Sequence, residues 1–208
     1  MFNSAKHIDH YVSDILDYTV LCDDQNQLIK ENVIFEVQEA FEQVIEIEQD
    51  KITLKNLDIQ FEFLGFSNKL LVKTDKKRLQ QVFMNIFSNA VKFTEKDGII
   101  MILTELMSDH KIKVSVSDTG KGIKEEDQEN LFKLFGNRDE NDRVTTNGIG
   151  FGLLICKLIV NHFQGIIDFD SVWEEGSTFF FTFELCDFNP DDYVAPMKPK
   201  LYSTLTDL

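Results

Sequence analysis

The sequence predicts an α/β (α+β) two-layer sandwich, in which a mixed β-sheet carries its helices on one face. Hydrophobic residues make up 43% of the 208 residues, and 19 residues are Phe, which is enough for one substantial core. Patterns with helical spacing and patterns with strand spacing alternate in the order β-α-β-β-α-β-β-α-loop-α-β-β. Because several strands follow one another directly, hairpins and a layered sandwich are favoured over a doubly wound sheet.

The first half of the chain predicts three helices and three strands. Residues 5–22 have helical spacing, and their apolar stripe needs a partner on another chain or on another helix. A short strand at 32–35, a helix at 36–56, and strands at 57–63 and 70–73 follow. Asp75 is a suitable N-cap for a helix over residues 76–93.

The second half predicts the remaining strands and two further helices. The expected elements are a hairpin of strands 98–106 and 111–117, a short helix at 126–135, a polar loop at 136–147, a helix at 150–163 and last strands at 164–172 and 178–185. The helix at 150–163 is apolar nearly all round and is therefore expected to be buried. Residues 187–208 contain all three Pro, and we interpret them as a tail or linker.

Charge and cysteine content limit the possible partners and compartments. A formal net charge of −15 argues against nucleic acid and anionic lipid as partners. The three Cys are widely spaced, without a disulfide framework or metal-ligand spacing, which indicates reduced thiols and a cytoplasmic location. The sequence has no signal-peptide pattern and no apolar run long enough to span a bilayer, although a longer parent protein could be membrane-anchored.

Two side-chain amides lie four residues apart in the predicted helix 76–93. At about 100° per residue, Asn85, Asn89 and Lys92 fall on a narrow stripe beside a broad apolar face. Asn is a poor helix former, so the stripe is either an ordinary solvated face or a binding site. In a binding site, an amide oxygen would bind a hard cation such as Mg²⁺, and Lys92 would meet phosphate.

A carboxylate at the end of the strand 111–117 is followed by two glycines. The strand period of two places Asp118 on the apolar face, where a carboxylate is costly unless it accepts hydrogen bonds. It could simply form a turn, because Asp-Thr-Gly suits a turn. Alternatively, it accepts a hydrogen bond from the amino group of a purine, and Gly120 and Gly122 let the backbone approach the base.

A second glycine cluster stands before and at the start of the predicted buried helix. Gly148, Gly150 and Gly152 would permit close approach of phosphates, and free N–H groups at a helix start favour an anion. A hinge or close helix packing would explain them as well. The polar loop 136–147 has the length of a mobile lid, and the sequence has no P-loop pattern.

These motifs, in this order, resemble the sensor histidine kinases, a branch of the ATPase superfamily that includes gyrase, heat-shock chaperones and mismatch-repair ATPases. The resemblance covers about residues 30–186. The corresponding family motifs are the asparagine box at residues 78–94, the first glycine box at 118–123, the phenylalanine box at 131–135, the second glycine box at 148–153 and the closing strand motif at 176–179.

The resemblance implies a site for ATP and Mg²⁺. Asn89 would hold Mg²⁺, and Asp118 would bind the adenine amino group. Asn85 and Lys92 would act near the phosphates as the catalytic residues. The other cofactor-binding positions that the resemblance implies are Gly120, Gly122, Ile123, Phe135, Gly148, Gly150, Gly152, Leu153 and Thr178.

The resemblance also distinguishes transfer from hydrolysis. Hydrolytic members of the superfamily have Glu four residues before the metal-binding Asn, at the position of Asn85 here. Without that base, transfer to a protein acceptor is favoured over efficient ATP hydrolysis, and a chaperone-like or topoisomerase-like ATPase is disfavoured.

The N-terminal residues lead to expectations about domains and partners. Residues 5–22 resemble the second helix of the family's dimerisation and phosphoacceptor hairpin, so the expected domains are a partial hairpin at 1–25, a catalytic domain at 30–186 and a tail at 187–208. The helix that carries the acceptor His is not in the sequence, and His7 and His10 lack its sequence context. We therefore expect binding of Mg-ATP without self-phosphorylation.

The expected partners follow from the same resemblance. They are a phosphoacceptor His domain in cis in a longer parent or in trans, a response-regulator receiver domain as in a hybrid kinase, and a second copy of the chain in a homodimer. The leading hypothesis is the catalytic domain of a protein-histidine kinase in two-component signalling. The alternative is a truncated kinase that acts as a non-catalytic nucleotide-binding regulatory module, which the absence of the acceptor helix favours.

Overall fold

The computed structural model describes residues 30–66, 70–107, 109–132 and 152–193. The elements are β1 (Asn32–Glu36), α1 (Val37–Lys55), β2 (Asp58–Leu64), β3 (Leu71–Asp75), α2 (Lys76–Phe93), β4 (Ile99–Leu106), β5 (Lys111–Asp118), α3 (Glu125–Gln128), α4 (Gly152–His162), β6 (Ile167–Val172) and β7 (Gly176–Glu184). A 3-10 turn at Pro190–Asp192 follows. The predicted succession of strands and helices is confirmed.

A five-stranded mixed sheet, in the order β2-β4-β5-β7-β6, forms one layer of the domain. β2 and β4 are parallel, and the other neighbouring pairs are antiparallel. β1 and β3 form a separate antiparallel pair. In the β4–β5 hairpin, Ile100 pairs with Asp118 and Leu106 pairs with Ile112. Asp118 therefore lies at the end of the sheet that is far from the hairpin turn.

The helices cover one face of this sheet, as the sequence predicts. The inward positions of the central strands are apolar and buried: Ile100, Ile102, Ile112, Val114, Val116, Phe179, Phe181 and Phe183. Phe83 of α2 stacks on Phe41 of α1 at 4.2 Å and on Phe87 at 5.4 Å between ring centroids. On the opposite face Met101 is 39% exposed, so this is a two-layer sandwich with a single core between sheet and helices.

Specific hydrogen bonds fix α2 at both ends. The side chain of Asp75 accepts a hydrogen bond from the backbone N–H of Arg78 at 3.1 Å, which confirms the predicted N-cap. At the other end, the Lys55 ammonium donates to the carbonyl oxygens of Val91, Lys92 and Thr94, each at 2.8 Å. A cation at the carboxyl end of a helix also offsets the helix dipole. The helix that carries the asparagine stripe is therefore capped at its start and bonded to α1 at its end.

Two predicted helices differ from those in the structure. α3 is only four residues long and has no buried residue, so little packing stabilises it. The chain continues in turns to Phe132, whose ring packs on Phe169 at 6.0 Å. α4 is buried on one side only, and its Lys157 and Asn161 are exposed. The reason is that α4 packs against α2, β6 and β7 and leaves its other side to solvent.

Several expectations concern residues outside the described ranges. The helix at 5–22, the lid loop at 136–147 and the tail beyond residue 193 all lie there. Of the helices that the structure describes, none has both the length and the apolar character needed to cross a membrane.

Candidate functional site

The asparagine stripe of α2 is not a solvated face at its first residue. Asn85 is only 8% exposed, and its side-chain N–H donates to the carbonyl oxygen of Gln81 at 3.3 Å. The start of α4 covers it, because a Cβ added at Gly152 would lie 2.8 Å from Asn85 Oδ1. Gly152 therefore allows α4 to begin directly against the Asn85 amide.

The stripe continues along α2 with Asn89 and Lys92. A rise of 1.5 Å per residue puts Lys92 about 10 Å beyond Asn85 along the helix axis. Asn89 is half-buried, and no hydrogen bond of its amide involves another residue in the described part of the chain. Desolvation lowers the pKa of the Lys92 ammonium, and the nearby charges of Lys121 and Lys51 lower this pKa further.

Asp118 is an oriented hydrogen-bond acceptor at the end of β5. Its carboxylate is half-buried, and Oδ1 accepts a hydrogen bond from the backbone N–H of Gly120 at 2.8 Å. Burial raises the pKa of the Asp118 carboxyl, and hydrogen bonds from the backbone of Gly120 and Ser177 partly offset this rise. The position on the inner face agrees with the period-two prediction, since Asp118 pairs with the fully buried Ile100.

The two glycines after Asp118 pack against the backbone of their own chain. A Cβ added at Gly120 would lie 2.6 Å from the carbonyl oxygen of Phe93, and a Cβ at Gly122 would overlap the carbonyl oxygen of Val172. Gly122 also has a φ of +65°, which favours glycine. Both glycines therefore bring the loop after Asp118 against the end of α2 and against β6.

A network of hydroxyl groups fastens this loop to β6 and β7. Ser171 Oγ accepts a hydrogen bond from the backbone N–H of Ile123 at 2.9 Å and donates to the carbonyl oxygen of Gly176 at 3.0 Å. It also lies 2.9 Å from Ser177 Oγ. The side-chain amide of Gln128 donates to the carbonyl oxygens of Ile123 and Ser171 at 2.9 and 3.3 Å. Neither Ser171 nor Gln128 belongs to a motif that the sequence pattern identifies.

The structure does not bring Thr178 to the other expected site residues. Its hydroxyl donates to Ser117 Oγ at 2.9 Å, on the sheet face opposite to the helices. The neighbouring residue Ser177 is buried and pairs with Asp118 across the β5–β7 ladder. The strand alternation of β7, taken with the position of Asp118, is the sequence signal that could have pointed to Ser177.

The described site residues lie along α2 between two contacts. The start of α4 packs against Asn85, and the loop after Asp118 packs against Phe93. Leu153 is half-buried beside the core near the first of these contacts. Phe135, Gly148 and Gly150 lie outside the described residues.

The chemistry of this donor set fits a magnesium nucleotide. Amide oxygens suit a hard cation, an ammonium group suits phosphate, and a carboxylate held by backbone N–H groups suits an amino group. Asn89, whose amide has no partner among the described residues, is the oxygen donor placed midway along the site.

Comparisons of the sequence and of the structure with known proteins point to the same family. Residues 74–187 match the family model for the histidine kinase-, DNA gyrase B-, and HSP90-like ATPase. The signal transduction histidine-protein kinase BarA of Escherichia coli is 32% identical over 191 residues, which are 90% of this chain and 20% of BarA. The catalytic domain of the histidine kinase ThkA is 31% identical, with a TM-score of 0.61 over 74% of this chain and 95% of that domain.

A further solved structure contains ThkA in complex with the response regulator protein TrrA. The matched chain of this complex is 30% identical to the present chain, with a TM-score of 0.63 over 88% of the present chain and 48% of the matched chain. The chain spans about a fifth of the length of the curated relatives it matches. The family match covers more than half of the sequence and contains every described residue of the site from Asn85 to Gly152. The chain therefore belongs to the family of histidine kinase-, DNA gyrase B- and HSP90-like ATPases, among relatives that are histidine kinases of two-component signalling.

Proposed function

We propose that residues 30–186 are the catalytic domain of a protein-histidine kinase, which binds Mg-ATP and transfers its γ-phosphoryl group to a His supplied by another segment or chain. The observation that carries the proposal is the placement of Asn85, Asn89 and Lys92 along one helix that ends beside the oriented carboxylate of Asp118. Relatives that are histidine kinases, such as BarA, support the same reaction class.

Asp118 would select the base. One of its oxygens accepts a hydrogen bond from Gly120, and an ionised carboxylate has further acceptor sites for an exocyclic amino group. The network around Ser171 and Ser177 would keep the carboxylate and its loop in place. Adenine has such an amino group, whereas guanine has a carbonyl oxygen at that position and would leave the carboxylate facing another acceptor.

Asn89 and Lys92 would hold the metal and the phosphates. The Asn89 amide oxygen would hold the metal ion, which would supply positive charge to offset that of the phosphates. The Lys92 ammonium would contact phosphate, and the buried Asn85 would position the start of α4. Through that start it would position the glycine segment before α4, where Gly148 and Gly150 are expected to contact phosphate. Catalysis would then consist of holding the γ-phosphoryl group in line with an imidazole.

The same residues favour transfer over hydrolysis. Asn85 carries an amide, which does not take up a proton at neutral pH and therefore does not activate water as a base. Its amide is also turned toward α2 and α4 rather than toward open solvent. Appreciable steady-state release of phosphate without an acceptor would favour the hydrolytic ATPase hypothesis instead.

The proposed partners are a phosphoacceptor His domain and a response-regulator receiver domain. The likeness to ThkA, which has been solved with the response regulator TrrA, supports the second. We place the domain in the cytoplasm, where ATP and receiver domains are available. The helix expected at residues 5–22 would support a homodimer.

The first experiment is calorimetric titration of Mg-ATP into the chain and into Asp118→Asn. The Asn amide can present an N–H group where the carboxylate accepts the hydrogen bond from the adenine amino group. A buried hydrogen-bonding group that is left unpaired costs about 1–3 kcal/mol, so the affinity for Mg-ATP should fall about tenfold to a hundredfold. Asp170→Asn, which makes the same change at an exposed position on β6, should bind as the parent does. Equal affinity of parent and Asp118→Asn would refute the assigned role of Asp118.

A second experiment separates the kinase from the non-catalytic module. The chain is mixed with γ-labelled ATP and a separately produced phosphoacceptor domain of a related histidine kinase. Acid-labile label on the acceptor supports the kinase, whereas tight nucleotide binding without any transfer supports the regulatory module. Label on His7 or His10 in the absence of the acceptor would contradict the expectation that the chain does not phosphorylate itself.

A further inference from the structure

Two lysine side chains from different segments share one aromatic ring at the end of α2. Lys92 Nζ lies 4.9 Å from the centroid of the Phe93 ring, and Lys121 Nζ lies 5.1 Å from the same centroid. Both distances are within the range of cation–π interactions. Phe93 is 39% exposed, so this cluster of side chains lies at the protein surface.

Backbone contacts on both sides of Lys121 define its position. Gly120 packs against the carbonyl oxygen of Phe93, and the Lys121 carbonyl oxygen accepts a hydrogen bond from the backbone N–H of Glu174 at 2.8 Å. Gly122, on the other side, is buried against Val172. The loop therefore presents the Lys121 side chain at the end of the site where Asp118 lies.

No carboxylate neutralises Lys121 within the described ranges of the chain. Other lysines in this region are engaged, since Lys51 lies 2.6 Å from the buried carboxylate of Glu48 and Lys55 donates to three carbonyl oxygens. The lack of a carboxylate beside Lys121 among the described residues is notable because the sequence has 36 acidic and 21 basic residues. Two ammonium groups on one ring repel each other, and a bound anion would relieve this repulsion.

We propose that Lys121 is a second phosphate-binding cation of the nucleotide site and acts together with Lys92. The proposal rests on the proposed function and deepens it, because it gives the site a preference for nucleoside di- and triphosphates over uncharged nucleosides. Phe93 holds both ammonium groups near the end of α2 by cation–π interactions. The lowered pKa of Lys92, to which Lys121 contributes, agrees with this crowding of positive charge.

The test is a comparison of nucleotide affinities for Lys121→Met. Calorimetric titration with ATP, ADP, AMP and adenosine separates the phosphates from the base. We expect the affinities for ATP and ADP to fall about tenfold, which corresponds to the loss of one charge-assisted hydrogen bond, and the affinity for adenosine to stay unchanged. Lys121→Arg, which keeps the charge, should restore most of the affinity.

Lys124→Met is the matched control. Lys124 lies in the same loop, and its Nζ is 5.3 Å from the centroid of the Trp173 ring rather than beside Phe93. Its replacement by Met therefore makes the same change of charge away from the end of α2. This variant should keep at least half of the parent affinity for ATP. A loss equal to that of Lys121→Met would show a general charge effect and would overturn the proposal.

A second readout detects the interaction directly. In an NMR titration of the lysine ammonium groups, Lys121→Met should raise the pKa of Lys92 toward the usual lysine range, and Lys124→Met should leave it unchanged. The proposal is overturned if Lys121→Met binds ATP as the parent does, or if adenosine affinity falls as much as ATP affinity. Failure of the parent chain to bind any nucleotide would instead refute the proposed function itself.

Discussion

Replacing Lys55 with methionine should destabilise the domain by a calculable amount. The Lys55 ammonium is the only described group that donates to all three carbonyl oxygens of Val91, Lys92 and Thr94. Methionine keeps the length and apolar stem of the side chain and removes both the charge and the donors. The last turn of α2, with Lys92 and Phe93, would then lose its anchor to α1.

The magnitude follows from the surroundings of the three bonds. Two of them, to Val91 and Thr94, are partly buried, and the bond to Lys92 is exposed. An exposed carbonyl regains water, so only the two partly buried bonds are counted, at about 1 kcal/mol each. The lost charge at the helix end adds about 0.5 kcal/mol, and the recovered side-chain entropy offsets a similar amount. The expected loss is about 2 kcal/mol, or about 4–8 °C in Tm for a domain of this size.

Urea denaturation followed by circular dichroism measures this loss. Lys77→Met is the matched control, because the Lys77 ammonium pairs with Glu31 at 3.0 Å at the surface and such pairs contribute little. Control and parent should differ by less than about 0.5 kcal/mol. The reasoning is refuted if Lys55→Met is as stable as Lys77→Met, because the three bonds would then contribute nothing net.

Two further predictions concern the ends of the site. Gly152→Ala should lower the free energy of unfolding by about 1 kcal/mol, because the added methyl group lies 2.8 Å from Asn85 Oδ1. In the Asn85→Ala background the same change should cost nothing. Additive losses of the two changes in urea denaturation would contradict this contact. The carboxyl of Asp118 should titrate above the ordinary aspartate range in an NMR titration, with Asp118→Asn identifying its signal. Because the folded pKa is raised, burial of the charged form destabilises the protein above that pKa, and acidification relieves this penalty. The affinity for adenosine should fall as the pH is lowered through the pKa of Asp118, since a protonated carboxyl is a poorer hydrogen-bond acceptor. An affinity that stays constant through this pH interval would contradict the assigned role of Asp118.

Short-range patterns in the sequence determined which residues share a face. The cap at Asp75, the apolar face of α2 and the inward position of Asp118 all follow from helical spacing, strand alternation and local hydrogen bonding, and the structure has them as predicted. In contrast, α3 is shorter and α4 is less buried than their sequence patterns predict. Periodicity describes one element at a time and does not show how much of its surface another element covers.

Spacing along the chain was sufficient to predict the family, the order of the elements and the residue types of the candidate site. The tertiary structure was needed to show that Gly152 packs on Asn85 and that Lys121 lies beside the ring of Phe93. Each of these contacts joins segments that are more than 25 residues apart. Their approach depends on strand register and on backbone contacts such as that of Gly120 with Phe93, and no local pattern in the sequence encodes that geometry.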